Sequence, residues 1–187
     1  NWIIPHFEKM LYDNAQFILL LSKYCKINKD DYFKEKLSHT IEFLNKEFLN
    51  KDGLLGSAYD ADSDGEEGKY YVYNYEEIKD IKDINSYFEL DPKGNWENKI
   101  ILVEKKRPPK EIIDKLLEAR VKKKKPFFDN KTQLDLNCLW ISALISADEI
   151  LPKKNFIKQA EDFFAKIEVK YINNIIKHSY SKAVSYT

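Results

Sequence analysis

The sequence predicts a mostly α-helical protein with helices packed in layers, because one pattern occurs twice along the chain. Two segments, at about residues 5–26 and 132–150, are apolar on nearly all faces. After a short polar link, each is followed by a segment whose apolar residues recur every three or four positions, at 31–50 and 155–173. Such spacing is typical of an amphipathic surface helix, whereas a helix that is apolar all round must be covered on several sides. The pattern therefore predicts two helical hairpins.

Two layered hairpins are expected in an α/α barrel and in a helical solenoid. The surface helices have apolar stripes formed by Phe33, Leu37, Ile41, Leu44 and Phe48 in the first hairpin and by Phe156, Ala160, Phe163, Ile167 and Tyr171 in the second. The two hairpins differ too much in sequence to form a short-period repeat, which favours the barrel.

The region between the hairpins, 51–131, has a different character and contains all five glycines of the chain. Strand-forming residues dominate Lys69–Tyr75, and a second short strand is expected at 99–103. A short helix is expected at 76–83 and a longer one at 109–124, which has proline in its first turn. We predict a short β-containing insertion packed over one end of the helical array, and long connections of this kind often carry function.

The composition excludes several classes of protein. The 31 basic and 31 acidic residues give zero net charge, which argues against nucleic acid as a partner. The basic run Lys122–Lys125 is interpreted as a solvated helix end. The longest apolar run, Phe17–Leu21, has five residues, so no membrane partner is expected. Cys25 and Cys138 lie in apolar helical stretches, which predicts buried free thiols in a reducing, cytoplasmic compartment.

The first polar feature is the opening stretch WIIPHFEKMLYDNA. On a helix that begins near Pro5, the side chains of His6, Lys9, Met10 and Asp13 would share one face. Since this helix is wrapped on several sides, such polar groups must be paired, buried or directed into a cavity. A structural contact to Asp13 and a functional site are both open interpretations.

The second is an acidic loop with five carboxylates within eight residues, Asp60, Asp62, Asp64, Glu66 and Glu67. Carboxylates this close repel one another unless they are solvated, protonated or bound to a cation. The first half of the loop matches an EF-hand calcium loop, but the second half does not, because a tyrosine stands at the twelfth position, where a bidentate glutamate is needed. A calcium loop of another type is an open hypothesis.

Two further features are candidates for ligand contact. Trp96 lies between Asn95 and Glu97 and could form one wall of a sugar site or anchor its loop to the core. Asn137 lies on an otherwise apolar helix and needs a polar partner or a cavity. The sequence contains no glycine-rich phosphate loop, GxSxG elbow, HExxH motif or Cys–His pair, so it gives no support for nucleotide hydrolysis, serine hydrolysis or zinc proteolysis.

Four segments together resemble the thioredoxin-domain-containing family typified by spermatogenesis-associated protein 20: PHFEKMLYDNA, SAYDADSDGEEGKYYVY, GNWENKIIL and the P-x-x-D-x-K run at 126–131. The resemblance implies a thioredoxin-like domain, as a partner outside this chain, and a six-hairpin glycosidase-like α/α toroid related to N-acylglucosamine 2-epimerase. The chain 1–187 would be a partial toroid, with a hairpin at 1–50, the insertion at 51–131, a hairpin at 132–174 and an incomplete end at 175–187.

The resemblance also implies a set of site residues. Candidate catalytic residues are His6, Asp62, Glu66 and Glu67. Candidate substrate-binding residues are Tyr12, Asp13, Asp60, Trp96, Asp129, Lys131 and Asn137. The motif positions Glu8 and Lys9 belong to the same pattern. No metal ion and no cofactor are expected.

The last motif departs from the family pattern D-D-K-I-L-T-x-W-N. Asn130, Leu134 and Leu136 stand where the family commonly has the second aspartate, the threonine and the tryptophan. These changes remove an acid and an aromatic platform, so a diverged or inactive copy is one interpretation.

Three functions are open at this point, of which the first is the leading hypothesis and the second its alternative. One is a carbohydrate-related domain of the epimerase, isomerase or hydrolase type that takes a sugar-like ligand and uses paired carboxylates beside an aromatic wall. The second is a non-catalytic scaffold or binding module for the thioredoxin-like domain, in which lysines such as Lys9, Lys69 or Lys131 cap the acidic loop. The third is a calcium site at the acidic loop.

Overall fold

The computed structural model describes residues 4–173, 175–176 and 178–180. About half of the chain is helical, and this confirms the prediction of a mostly α-helical protein with short β segments. The helices are α1 (Leu11–Ile27), α2 (Asp31–Glu47), α3 (Tyr75–Ile78), α4 (Lys110–Val121), α5 (Leu134–Asp148) and α6 (Phe156–Tyr171), with 3₁₀ turns at Ile84–Ser86 and Pro152–Lys154.

All strands in the described part have two residues each. They are β1 (Lys9–Met10), β2 (Ala58–Tyr59), β3 (Asp62–Ser63), β4 (Glu66–Glu67), β5 (Phe88–Glu89), β6 (Val103–Glu104), β7 (Phe128–Asp129), β8 (Thr132–Gln133), β9 (Ile172–Asn173), β10 (Ile175–Ile176) and β11 (Ser179–Tyr180). They pair antiparallel as β1–β2–β7, β3–β4, β5–β6, β8–β11 and β9–β10.

The described residues form two compact units. We call 4–8 with 60–127 the insertion unit, and 9–59 with the described residues from 128 onward (128–173, 175–176 and 178–180) the helical unit. The predicted partition at residues 50, 131 and 174 stays a prediction, and part of its last segment, 181–187, lies outside the described residues.

The helical unit is built around α1 and α5, which pack against each other, while α2 packs on α1 and α6 packs on α5. The shared core contains Leu11, Ala15 and Ile18 of α1, Leu37, Ile41 and Leu44 of α2, Trp140, Ala143 and Leu144 of α5, and Phe163, Ile167 and Tyr171 of α6. The two helices that are apolar nearly all round are therefore the central pair, and the amphipathic helices bury one stripe each.

The first helix begins at Leu11 and not at Pro5 as predicted. Lys9–Met10 is extended because it pairs with Ala58–Tyr59, and the first free amide of α1, Leu11 N–H, donates to the carbonyl of Ser57 at 2.9 Å. The predicted helical face shared by His6, Lys9 and Asp13 is therefore wrong. A strand pairing formed with a segment about 50 residues away is not visible in local helix periodicity.

The insertion unit contains two small apolar clusters. One gathers Tyr73, Ile78, Ile84, Phe88, Ile100, Ile112 and Leu116, and the other gathers Phe7, Val72 and Ile101. The strand predicted at Lys69–Tyr75 is wrong, because the amides of Tyr71 and Val72 both donate to the carbonyl of Gly68 and fold this stretch into a turn. Within the described stretch Lys69–Tyr75, Tyr73 is the one residue with a β-bridge, which it forms with Ile100.

Within the part of the chain that the structure describes, we find no helix with the length and apolar character needed to cross a membrane.

Candidate functional site

The acidic loop folds as a tight β-hairpin, which we call the acidic hairpin (60–68). Strand β3 pairs with β4 so that Asp62 stands opposite Glu67 and Ser63 opposite Glu66. The two connecting residues, Asp64 and Gly65, have φ values of 59° and 77°. An Asp-Gly pair with positive φ at both positions is a preferred two-residue hairpin connection, so the local sequence determines this turn.

Two lysines hold the tip of the acidic hairpin. The Nζ of Lys69 lies 2.6 Å from the carboxylate of Glu66 and 3.5 Å from that of Asp64. The Nζ of Lys124 lies 3.3 Å from Asp64, and the Ser63 hydroxyl donates to the Lys124 carbonyl. The hydrogen bond from Lys124 lowers the pKa of Asp64, and the bond from Lys69 lowers the pKa of Glu66. Both carboxyl groups are therefore ionised at neutral pH.

The remaining acids of the hairpin stay open. Asp62 and Glu67 are exposed, and in the described residues neither carboxylate has an ion-pair partner. Like charges directly opposite in an antiparallel pair destabilise it. Asp60 is also exposed, and its carboxylate accepts a 3.3 Å hydrogen bond from the Asp62 amide. These three carboxylates are available to a ligand on the solvent side of the hairpin.

An aromatic cluster lies beside the acidic hairpin in the same unit. The ring of buried Phe7 lies 5.1 Å from that of Trp96 and 6.2 Å from that of Tyr71, measured between centroids. Ala61, between Asp60 and Asp62, packs against this cluster, and Trp96 is half-buried. The side chain of Asn95 fixes the Trp96 loop by bonding both backbone groups of Ile101 at 2.8 Å. The Trp96 side chain thus anchors its loop to the aromatic cluster, while part of the side chain remains exposed to solvent.

His6 is exposed and lies at the start of the described chain. Its Nε2 is 3.8 Å from a carboxylate oxygen of Glu8, which is a weak surface contact. The structure therefore places His6, Asp60, Asp62, Glu66, Glu67 and Trp96 in the insertion unit.

The other candidate residues belong to the helical unit. Tyr12 and Asp13 lie in the first turn of α1 and are exposed. The carboxylate of half-buried Asp129 accepts from the backbone amide of Lys131 at 3.1 Å, and the Lys131 carbonyl accepts from the Ser57 hydroxyl at 2.6 Å. These contacts fix the backbone between β7 and β8.

Asn137 is completely buried, and its side chain is fully used by the backbone. Its Oδ1 accepts from the Leu55 amide at 2.9 Å, while its Nδ2 donates to the carbonyls of Leu55 at 3.0 Å and Gln133 at 2.9 Å. The polar partner expected for this residue is therefore the glycine-rich loop before β2. A role of Asn137 in substrate binding stays a prediction.

The interpretation of the run Lys122–Lys125 as a solvated helix end does not account for Lys124, which pairs with the acidic hairpin. Lys123 is also used, since its ammonium group donates to the Val72 carbonyl and to the Glu77 carboxylate. The opposite charges of the acidic loop and the basic run were the available signal. Lys69, one of the lysines expected to cap the loop, is observed in that position.

In the described part of the chain, no group of three or more His, Cys, Asp or Glu side chains is arranged to hold a metal ion. The acidic hairpin is therefore a cluster of separate carboxylates, of which two are bound by lysines and three face solvent.

These features define a mostly α-helical protein with an exposed acidic hairpin packed on an aromatic cluster. Curated proteins similar to the chain include spermatogenesis-associated protein 20 from Mus musculus, 33% identical over 87 residues, and from Homo sapiens, 32% identical over 87 residues. Each alignment covers 43% of this chain and 11% of the relative. Uncharacterized protein B0495.5 from Caenorhabditis elegans is 28% identical over 209 residues, which cover 86% of this chain.

The chain thus spans about a tenth of the length of spermatogenesis-associated protein 20 and 28% of the nematode protein. No protein-family model matches it. The predicted similarity to spermatogenesis-associated protein 20 is confirmed as a distant relationship.

Proposed function

We propose that this chain is a non-catalytic scaffold and binding module within a longer protein similar to spermatogenesis-associated protein 20. In this proposal the helical hairpins belong to a six-hairpin α/α toroid, and the partner is a thioredoxin-like domain outside the chain. Both cysteines are free thiols, in keeping with a cytoplasmic protein; Cys25 is buried as expected, whereas Cys138 is exposed, so the prediction of a buried thiol is wrong there.

The observation that carries the proposal is the pairing of Glu66 with Lys69. A general acid must hold a proton near neutral pH, and enzymes achieve this by raising the pKa of a carboxyl group. The Lys69 ammonium lowers the pKa of Glu66, and Lys124 lowers that of Asp64. These carboxylates are suited to tying the hairpin to its surroundings and poorly suited to the general-acid role, which a two-carboxylate mechanism needs beside its ionised base or nucleophile.

A comparison of Glu66→Gln with Glu67→Gln tests this proposal, since both positions are exposed glutamates in β4 and only Glu66 is paired with lysine. The scaffold role predicts a lower melting temperature for Glu66→Gln and an unchanged or higher one for Glu67→Gln. Equal effects of the two substitutions would contradict a structural role for the pair.

A carbohydrate-related enzyme is the second candidate, favoured by the open pair Asp62 and Glu67 in a hairpin whose Ala61 packs against the cluster that contains half-buried Trp96. Hydrolysis of a glycoside needs two carboxyl groups about 5–10 Å apart, and indole faces stack on sugar rings. In this candidate Asp62 and Glu67 would share the acid and base roles, while Trp96 would orient the sugar. The reaction would be of the hydrolase or epimerase type.

Tryptophan fluorescence during titration with a panel of mono- and oligosaccharides separates the two candidates. Saturable quenching that disappears in Trp96→Phe, together with turnover that disappears in Asp62→Asn and Glu67→Gln, would establish the enzyme. No binding or turnover across the panel, with normal folding of all variants, would support the scaffold.

A further inference from the structure

The guanidinium group of Arg120, in the last turn of α4, is only partly satisfied by the protein. Arg120 is half-buried, and in the described residues its buried Nε has no hydrogen-bond partner. The central carbon of the group lies 5.8 Å from the centroid of the Tyr71 ring and 5.9 Å from that of Tyr73. Ring faces attract a cation but carry no charge of their own. Because buried polar groups normally have a partner, the unpaired N–H of this charged group marks Arg120 as a candidate binding residue.

The charge of Arg120 is not balanced within the part of the chain that the structure describes. No carboxylate there forms an ion pair with Arg120, and the nearby acid Glu77 is paired with Lys123 at 3.0 Å. The Tyr73 hydroxyl, which Arg120 also faces, donates to the Leu116 carbonyl at 2.9 Å and offers the guanidinium only a neutral oxygen. The two cations and the one acid of this group therefore leave a single positive charge beside the buried ring of Tyr73.

We propose that Arg120 binds the carboxylate of a small acid, at a position that we call the Arg120 site (Tyr71, Tyr73, Arg120 and Lys123). A guanidinium group is planar, and its N–H groups form a fork that matches the two oxygens of a carboxylate. One negative charge neutralises the site. A phosphate dianion would bring a second negative charge close to Glu77, whose charge already acts on Tyr73. Since Tyr73 is completely buried, the ligand approaches from the exposed side of the guanidinium, which favours a compact acid.

The Arg120 site is separate from the acidic hairpin (60–68), although both belong to the insertion unit. It would bind an anion, whereas the open carboxylates of the hairpin would attract cations or hydroxyl groups. The scaffold proposal and the carbohydrate candidate therefore do not depend on it. The chain contains two arginines, and Arg107, which is exposed in the segment before α4, provides a matched control.

Thermal unfolding of the full chain in sodium benzoate, compared with sodium chloride at the same ionic strength and neutral pH, tests the proposal. With a dissociation constant of about 10 mM, benzoate at about 100 mM should raise the melting temperature by about 3–6 °C. Sodium acetate should also raise it, because it presents the same carboxylate. Benzamide, which has the ring of benzoate without its charge, should give no rise.

Arg120→Gln should abolish the rise caused by benzoate, whereas Arg107→Gln should leave it unchanged. Arg120→Lys keeps the charge but loses the planar fork, so most of the rise should disappear. A purely structural role of Arg120 would lower the melting temperature equally in both salts. If Arg120→Gln does not fold, the Nε–H signals of the two arginines in a ¹H–¹⁵N spectrum of the wild type decide, once Arg107→Gln has assigned them. Benzoate should shift the Arg120 signal and leave that of Arg107 in place.

Further ligands define the source and the class of the anion. N-acetylglutamate amide presents the carboxylate of a protein side chain, and N-acetylglutamine amide is its uncharged control. A rise with this glutamate derivative but not with acetate or benzoate would overturn the assignment to a small acid, since the partner would then be a protein segment. A larger rise with inorganic phosphate than with benzoate would overturn the assignment to a carboxylate. No anion-specific rise in the wild type, or an equal rise in Arg120→Gln, would overturn the site itself.

Discussion

The side chain of Asn137 forms hydrogen bonds with both backbone groups of Leu55. Its Oδ1 accepts from the Leu55 amide at 2.9 Å, and its Nδ2 donates to the Leu55 carbonyl at 3.0 Å. Both residues are completely buried, and 82 positions separate them along the chain. One amide thus ties the first turn of α5 to the loop that leads into β2. The third bond, to the Gln133 carbonyl, fixes the rotamer from the same helix.

Asn137→Ala is expected to lower the free energy of unfolding by about 3 kcal/mol, because two buried backbone groups lose their partners at about 1–3 kcal/mol each. Urea denaturation monitored by circular dichroism measures the change. Asn50→Ala is the control, since Asn50 makes one exposed bond to the Asn130 carbonyl and its loss should cost less than about 1 kcal/mol. A loss below 1 kcal/mol for Asn137→Ala would mean that water replaces the amide.

Gly68→Ala is expected to destabilise the insertion unit by about 2–3 kcal/mol. The φ of Gly68 is +66°, and an added Cβ would lie 2.7–2.8 Å from carbons of the Phe7 ring. That ring is buried, stacked on Tyr71 and in tilted contact with Trp96, so it has little freedom to move.

The matched substitution is Gly65→Ala at the tip of the acidic hairpin. Its φ is +77°, but no atom lies within 4 Å of the added Cβ. The cost there is the left-handed strain alone, about 1 kcal/mol. Thermal unfolding of the two variants measures the loss of stability in each. The difference between the two losses is the cost of the clash with the Phe7 ring, since backbone strain is common to both. Equal losses would show that the Phe7 ring gives way.

The ion pairs of the acidic hairpin predict a pH dependence of stability. The pKa values of Asp64 and Glu66 are lower in the folded state than their ordinary values of 3.8 and 4.5. Their contribution is therefore present above the ordinary pKa values and is lost as the pH falls through the lowered ones. The pKa of Lys69 is raised above 10.5, so its contribution is present below that pH and is lost as the pH rises through the higher folded-state pKa.

Lys69→Met should consequently lower the melting temperature between about pH 5 and pH 10 and have little effect at about pH 2. The effect should be smaller than that of Asn137→Ala and should shrink with added salt, because all three groups are exposed. Lys99→Met is the comparison, since its ammonium group bonds the Asn74 side chain and its charge lowers the pKa of Glu66 less than Lys69 does, so its effect should be smaller. A difference between Lys69→Met and the wild type that persists at pH 2 would indicate lost packing of the side chain instead.

The sequence was sufficient for the features that depend on local periodicity. The stripes of α2 and α6 are buried at Leu37, Ile41, Phe163 and Ile167 because their spacing allows only one face to reach the core. The turn of the acidic hairpin is likewise predictable from local sequence, because the Asp64-Gly65 pair favours the positive φ values that this turn requires. The start of α1 was misplaced because it depends on a pairing with Ala58–Tyr59, far along the chain.

The residue types of the candidate site could be predicted from the sequence, but the contacts among their side chains could not. Five clustered acids indicated that some must be neutralised, but the sequence did not distinguish Asp64 and Glu66, which meet lysines, from Asp62 and Glu67, which do not. The difference arises from the strand register and from the position of Lys124, both of which are tertiary properties. The site as a whole stays a prediction.

The unpaired acids of the hairpin lead to the last prediction. Asp62 and Glu67 stand opposite each other, so replacing one by lysine converts a repulsive cross-strand pair into an attractive one. Asp62→Lys is expected to raise the free energy of unfolding by about 0.5 kcal/mol, and Asp62→Asn by less, since it only removes the repulsion. Thermal unfolding at low ionic strength measures both. A chain that gains stability when Asp62 is replaced keeps this acid at a cost to its fold, as expected of a residue retained for contact with a ligand or partner. A loss of stability in both variants would instead show that Asp62 has a structural partner in solution.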